Sequence, residues 1–481
     1  MKFKSLFFLL LVGFSGCMVG PDFCPPEVSV YDEWLPCDNP LITCNSPPPC
    51  EWWEVFEDPT LTYLLSVAKE QNLPLQAAGM RILQARAERG IAIGEFFPQL
   101  QELIGNAERI HISKNAPNTF AGDRQYWDFI SGLQASWELD FWGRFRRGIE
   151  SADETLLATI ADYQDVLILL LSEVASTYLT IRTFEERIGI IKQNIAIQER
   201  SLEIVEARWR AGVVTELDVQ QARTLVYDTR SRLPLLENDL TTVQDALAVL
   251  LGLTPDHLIC YLDEPGPIPI PAKELGVGIP AELLARRPDV RSQFHKAAAQ
   301  SARIGIAVSD LLPRISINGF IGLESSTSST KLGNGGIFNS DSITFFYGPS
   351  FAWPILNYGR LTNRVRAERA LFYQTVLDYQ NSVLVAYQEA EDGLSAYIYF
   401  HEQVDELDES VKASKRAAEL ARTQYVEGIA DYTRVLETER SKLEADEQLA
   451  IANGNIALSV VALYRALGGG WECADELTTC R

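Results

Sequence analysis

The sequence predicts an α+β membrane protein, built as an internal duplication of long α-helical coiled-coil hairpins with four β-strands per chain. Three observations predict it. The first is the repeat: Trp137-Glu-Leu-Asp-Phe-Trp-Gly143-Arg144 returns as Trp353-Pro-Ile-Leu-Asn-Tyr-Gly359-Arg360, displaced by 353 − 137 = 216 positions. Upstream, Ala92 to Pro98 returns as Ala307 to Pro313, displaced by 313 − 98 = 215. Downstream, Trp209-Arg-Ala-Gly212 returns as Tyr425-Val-Glu-Gly428, and Leu250-Leu-Gly252 as Ala466-Leu-Gly468. A displacement held over so long a stretch marks two copies of one large unit rather than a solenoid of short repeats. The second observation is a row of apolar residues seven apart, Ile160, Leu167, Val174, Ile181, Ile188, Ile195 and Leu202, which means coiled-coil packing. The third is strict alternation in short segments, the period of a strand with two unlike faces.

The chain opens with an address. Met1-Lys-Phe-Lys4 is a basic region, Leu6 to Val12 an apolar one, and Phe14-Ser-Gly-Cys17 a small-residue cleavage site, so residues 1–16 read as a signal peptide. Cys17 is placed where a lipidated first residue stands, against the alternative of an ordinary signal with a chance cysteine. Residues 17–57 read as a lipidated, Pro- and Cys-rich, irregular N-terminal segment. In an exported chain the clustered Cys24, Cys37, Cys44 and Cys50, with Cys260, Cys473 and Cys480, suggest disulfides of undetermined connectivity, one thiol being left over.

The first repeat is assigned to 58–253. It begins with a helix from Asp58 to about Gly94, weakened by Pro74, and continues with a strand hairpin over 98–139. In the second copy the alternation is cleaner: Ile315, Ile317, Gly319, Ile321 and Leu323 on one run, Phe345, Tyr347, Pro349, Phe351 and Trp353 on the return. These strands, predicted over 98–110, 127–139, 313–323 and 343–353, suit a tilted membrane crossing. The polar loops between them, 111–126 and 324–342, are expected outside the cell. A helical hairpin follows over 143–251, whose first arm reaches about 100 Å at 1.5 Å per residue. Its turn carries Gly212, as the second carries Gly428, and Pro234 predicts a kink in the return arm. Residues 254–280, with Glu264-Pro-Gly-Pro-Ile-Pro-Ile-Pro, form the linker. The second repeat spans 281–470, with a strand hairpin over 313–353 and a helical hairpin over 359–467; 471–481 form a tail. No run reaches the ~18 consecutive apolar residues of a spanning helix, so a membrane crossing requires a β-barrel.

The net charge of −23 speaks against nucleic acid, which needs a basic face. No nucleophile elbow, P-loop, metal pair or dinucleotide fingerprint points to an enzyme, and no cofactor is expected.

The chain resembles TolC-like outer-membrane efflux proteins, the OprM/NodT-type lipoprotein branch. The resemblance rests on Cys17-Met-Val-Gly-Pro-Asp-Phe23, on the Trp-x5-Gly-Arg signature at Trp137, Gly143 and Arg144 and again at Trp353, Gly359 and Arg360, on Gln424-Tyr425-x-x-Gly428, and on Tyr464 to Trp471. It implies a homotrimer whose three chains share a 12-stranded β-barrel and a periplasmic helical tunnel. It also implies a periplasmic adaptor (a membrane fusion protein) and an inner-membrane pump as partners, with passive exit of small molecules, drugs or metals, as the function. A duct for protein secretion and a structural coiled-coil envelope lipoprotein are the alternatives. The residues agree with closure by several chains, because four strands fall short of the minimum of about eight. The turns bring a candidate gate: Glu216 and Asp218 in the first copy, Asp431 and Arg434 in the second, with 218 and 434 at matching positions. The plainer reading makes them helix-start charges favoured by the dipole.

Overall fold

The computed structural model describes residues 18–26, 34–36, 38–43, 51–115, 123–258, 261–262, 265–271, 273–278, 286–328 and 336–469. Six strands are described: β1 (Ile42–Thr43), β2 (Leu100–His111), β3 (Gln125–Glu138), β4 (Leu275–Gly276), β5 (Arg314–Ser326) and β6 (Ile343–Ala352). The α-helices are α1 (Pro59–Gln71), α2 (Leu73–Phe96), α3 (Arg144–Arg210), α4 (Glu216–Leu250), α5 (Pro255–Leu258), α6 (Pro288–Ser309), α7 (Arg360–Val426) and α8 (Tyr432–Ala466). The duplication is kept to the residue: α3 and α7 each have 67 residues, α4 and α8 each have 35.

The chain divides into two compact units, the first made of Met1–Pro26, Ile82–Thr159 and Gln293–Tyr379. Its centre is a four-stranded antiparallel sheet in the order β2-β3-β5-β6. Beside it, Phe23 meets the rings of Phe294 and Phe372 edge-on, at 5.2 and 6.4 Å. The segment just after Cys17 is held firmly. Val19 N donates to Trp142 O at 3.0 Å, and the buried Arg147 donates to Asp22 Oδ1 at 2.7 Å. Gly143 turns at φ 78°, where a Cβ would stand 2.5 Å from Met18. Cys24 is a free, exposed thiol, which removes it from the expected disulfides; the other six cysteines lie outside the described residues.

The second unit comprises Glu27–Arg81, Ile160–Ser292 and Gln380–Arg481. Its main core joins Trp34, Trp52, Trp53 and Phe56 to Leu171, Tyr178, Tyr397 and Tyr464. The N-terminal segment is therefore not irregular throughout. Trp52–Phe56 form a 3-10 helix, β1 pairs in parallel with β4 of the linker, and Trp34 Nε1 donates to Gly278 O. The cause is the apolar area of the tryptophans, which is worth burying.

One expectation about proline changes. The helix predicted from Asp58 is split at Asn72, and Pro74 falls in the first turn of α2, where its missing N–H costs nothing. Pro234 lies within α4, inside the return arm where the sequence placed it. Two helices, α3 and α8, also contain an 18-residue window apolar enough to cross a membrane, where the consecutive-run reading found none. In α8 most of that window is buried inside the protein, as in a core helix.

Candidate functional site

The sheet sorts its side chains by parity. Every register pair joins residues of equal parity, such as Gln134 with Phe320 and Asn318 with Gly348. Even positions are richer in polar residues (Glu102, Asn106, Glu108, Asp128, Gln134, Ser136, Asn318 and Ser350, with Ile104, Ile130, Phe320 and Phe346 as exceptions), and odd positions are richer in apolar ones (Leu103, Trp127, Phe129, Leu133, Ile317, Ile321, Phe345 and Phe351, with Gln101, Arg109 and Ser131 as exceptions). On the even face a polar ladder crosses three strands: Ser136 Oγ donates to Asn318 Oδ1 and Asn318 Nδ2 to Ser350 Oγ, both at 2.7 Å. On the odd face Leu133, Ile321, Phe345 and Phe351 are exposed. An apolar face against lipid and a polar face against water is the division a membrane barrel wall needs. Among the described residues, β2 and β6 each pair on one side only.

Each sheet hairpin hands over to a long helix through the Trp-x5-Gly-Arg signature. Trp137 Nε1 donates to Phe96 O at 3.2 Å, and Trp353 Nε1 to Leu311 O at 3.0 Å. Those are the same contacts displaced by 216 and 215. Gly143 and Gly359 stand at φ 78° and 80°, a left-handed turn that a side chain would strain.

The far turns of the helical hairpins lie in the second unit. Both end as Schellman motifs. Val213 N donates to Arg208 O and Gly212 N to Trp209 O, while Ile429 N donates to Gln424 O and Gly428 N to Tyr425 O. The two turns are joined by Arg208, whose Nη1 donates to Tyr425 O at 2.7 Å and Val426 O at 2.9 Å. Its guanidinium also lies 5.0 Å from the Tyr425 ring. Below, Val205, Val219, Ala222, Ala421, Tyr425, Tyr432 and Val435 form a small separate core.

Two of the four candidate gate residues, Asp218 and Asp431, cap helices within the chain. Asp218 Oδ2 accepts from Thr215 N and Oγ1, both at 2.9 Å, closing a capping box on α4. Asp431, at the position of Thr215, caps α8 by accepting from Arg434 N at 3.3 Å. The acid sits at the third helical residue in one copy and at the cap in the other. Asp431 and Arg434 thus meet through a backbone amide rather than an ion pair. Glu216 is exposed and accepts a long bond from Gln220 at 3.4 Å.

The sequence reading missed Arg208, Tyr432 and the pair Arg422–Glu439, and named Tyr425 only as part of the repeat and the family motif. Burial raises the Tyr432 hydroxyl pKa, with the Glu439 charge adding to it. Glu439 is 1% exposed and paired with Arg422, and its Oε2 has no hydrogen-bond partner. The signal was available, since Glu206 and Arg223 occupy the same two positions 216 residues earlier with the charges exchanged, 2.8 Å apart.

The outer membrane efflux protein family model matches residues 64–253 and 279–469. The chain is 33% identical over 439 residues to the pyoverdine export outer membrane protein OpmQ of Pseudomonas putida, covering 90% of each. It is 32% identical over 487 residues to the toluene efflux pump outer membrane protein TtgI of the same species, covering 99% of this chain and 100% of that one. A solved structure of the outer-membrane channel OprN superposes with a TM-score of 0.89 at 31% identity, over 95% of this chain and all of that one. A two-faced sheet with an open edge on either side, each hairpin of which continues into a helical hairpin, defines the class as an outer-membrane efflux channel subunit. The chain belongs to the outer membrane efflux protein family.

Proposed function

We propose that three copies of this chain close their sheets into one 12-stranded barrel and serve as the passive exit duct of a tripartite efflux system, with a periplasmic adaptor and an inner-membrane pump as partners. The sheet carries the reading. It has one predominantly polar and one predominantly apolar face, two edges unpaired among the described residues, and too few strands to close alone. Strands of 10 to 14 residues are long enough for a tilted crossing. The cargo class is small molecules, as in the pyoverdine and toluene exporters that the chain is similar to. Cys17 carries the lipid, and the fixed placement of residues 18–22 beside Gly143 supports an anchor there. The test is conductance of the purified full-length protein in a planar bilayer, together with its mass. A trimer with discrete channel steps is the expected result, and a monomer without conductance would defeat the reading. Mass spectrometry of an unmodified Cys17 would remove the anchor alone.

The helix turns form the periplasmic gate of this duct. Asp431→Ala and Arg434→Ala are expected to raise single-channel conductance and vancomycin leakage, because loss of the cap or of the cation loosens the start of α8. Unchanged values in both would remove Asp431 and Arg434 from the gate, leaving Glu216 and Asp218 as its candidates.

A further inference from the structure

The two strand-to-helix junctions share a motif but differ in what covers them. At the first, Phe141 and Trp142 are half-buried, and Asp140 caps α3 through the amides of Phe145 and Arg146. The end of α6 and the start of β5 lie against it: Trp142 Nε1 donates to Pro313 O at 2.8 Å, and Arg144 stands 3.9 Å from Asp310. At the second junction Phe351, Ile355, Leu356 and Tyr358 are 77%, 74%, 83% and 97% exposed. Among the described residues nothing lies within 4 Å of a Cβ placed on Gly90, and one on Gly359 would meet only the Asn363 side chain at 3.6 Å.

The duplication states what is missing. Contacts of Trp142 and Arg144 run from the first half to the second half of the chain. Displaced by 216 and 215, they become contacts of Tyr358 and Arg360 with Pro98 and Glu95, from a second half to the first half that follows it. In a closed ring that first half belongs to another copy. Trp137 with Phe96 and Trp353 with Leu311 show that this displacement reproduces real contacts. The charges also match: Arg360 and Glu95 are both exposed, and neither is in an ion pair among the described residues.

We infer that the exposed second junction is the docking surface for the end of α2 of a neighbouring copy, with Arg360 pairing to the neighbour's Glu95 and the apolar residues around Tyr358 covering Phe97 and Pro98. The inference rests on the multi-copy duct proposed above. Exposed ion pairs contribute little singly, but each of the ring's seams repeats this one, and a charge reversal replaces attraction by repulsion at every seam.

The experiment uses the full-length protein with Glu95→Arg, Arg360→Glu and the double exchange, read by native mass spectrometry across a dilution series. Each single reversal is expected to raise the concentration of half-assembly by about tenfold or more, and the double exchange to restore it, with helix content by circular dichroism unchanged. As a second measurement, p-benzoylphenylalanine at Tyr358 is expected to give a dimer-mass photo-adduct on residues 91–98. Single reversals that assemble like the parent, a double exchange that does not recover, or adducts confined to other segments would overturn the contact while leaving a trimeric duct standing. A parent protein that stays monomeric would overturn both.

Discussion

The two halves tie down the end of each return helix with the same bond made by different chemistry. In the first half Asn72 Nδ2 donates to Leu250 O at 2.9 Å. In the second, Arg287 Nη1 donates to Ala466 O at 2.7 Å. The donors are 215 positions apart and the acceptors 216, so these are one contact in two copies. The glycines that follow also match, Gly252 and Gly468 at φ 71° and 72°. The acceptor is a backbone carbonyl that any residue supplies, so the donor was free to diverge. Asn72 is neutral and its remaining oxygen accepts from Leu75 N. Arg287 brings a charge, 8% exposed in its side chain, that must be balanced, and Asp289 and Glu389 each approach it to 2.7 Å. A clamp that is local in one half has become a network in the other.

That difference predicts unequal costs. Arg287→Ala leaves two carboxylates and a carbonyl without their cation, and is expected to destabilise the protein by about 3–5 kcal/mol. Asn72→Ala removes one neutral donor and is expected to cost about 1–2 kcal/mol. Urea unfolding followed by circular dichroism measures both. Equal losses would mean that the charge at Arg287 adds nothing to the clamp.

The tips repeat the comparison with polarity exchanged. Arg422–Glu439 and Glu206–Arg223 are the same cross-helix pair, but Glu439 is buried whereas Glu206 and Arg223 are partly exposed. Burial decides the outcome: an uncompensated buried charge is costly, while a solvated pair is weak. Glu439→Ala is expected to cost about 3 kcal/mol by leaving Arg422 unpaired at the small tip core. Glu206→Gln is expected to leave the melting temperature unchanged within error. A matching loss for Glu206→Gln would show that the exposed pair is screened far less than its surroundings suggest.

What was legible in the sequence follows from how far apart the informative residues lie. Heptads such as Ile160 to Leu202, the alternation of Ile315 to Leu323, and Gly212 or Gly428 after a long helix are local patterns. They placed α3, α7, β5, β6 and both turns within a few residues. The clamp was not legible, because Arg287 meets Glu389 and Ala466 across 102 and 179 residues. Trp52 and Trp53 misled for a related reason. Their segment has no period, and contacts far away in the chain, such as the stacking of Trp52 on Tyr464, show that it belongs to the core. For the candidate gate residues the sequence offered helix-start charges but not the specific caps, since Thr215 with Asp218 and Asp431 with Arg434 divide the same work between opposite positions.

The smallest expected effect tests whether the charged clamp carries more acid than it needs. Asp165, Asp289 and Glu389 gather around Arg287 and Arg465, lining one cavity of about 150 Å³. Burial raises the pKa of Asp165, and the nearby Asp289 charge raises it further against the opposing pull of Arg287. A carboxyl whose folded pKa lies above its unfolded value favours folding when protonated. Its contribution is complete below the unfolded value of about 3.9 and is lost as pH rises through the folded one. At neutral pH the ionised Asp165 therefore opposes folding. The second half bears a neutral residue at the matching place, Asn381, since 165 + 216 = 381. Asp165→Asn is accordingly expected to raise the apparent melting temperature at pH 7 by roughly 1–2 °C, with the gain shrinking to nothing as pH falls below about 4. A loss of stability at pH 7 would show instead that Asp165 is a needed counter-charge to Arg287 or Arg465, and that the network has no acid to spare.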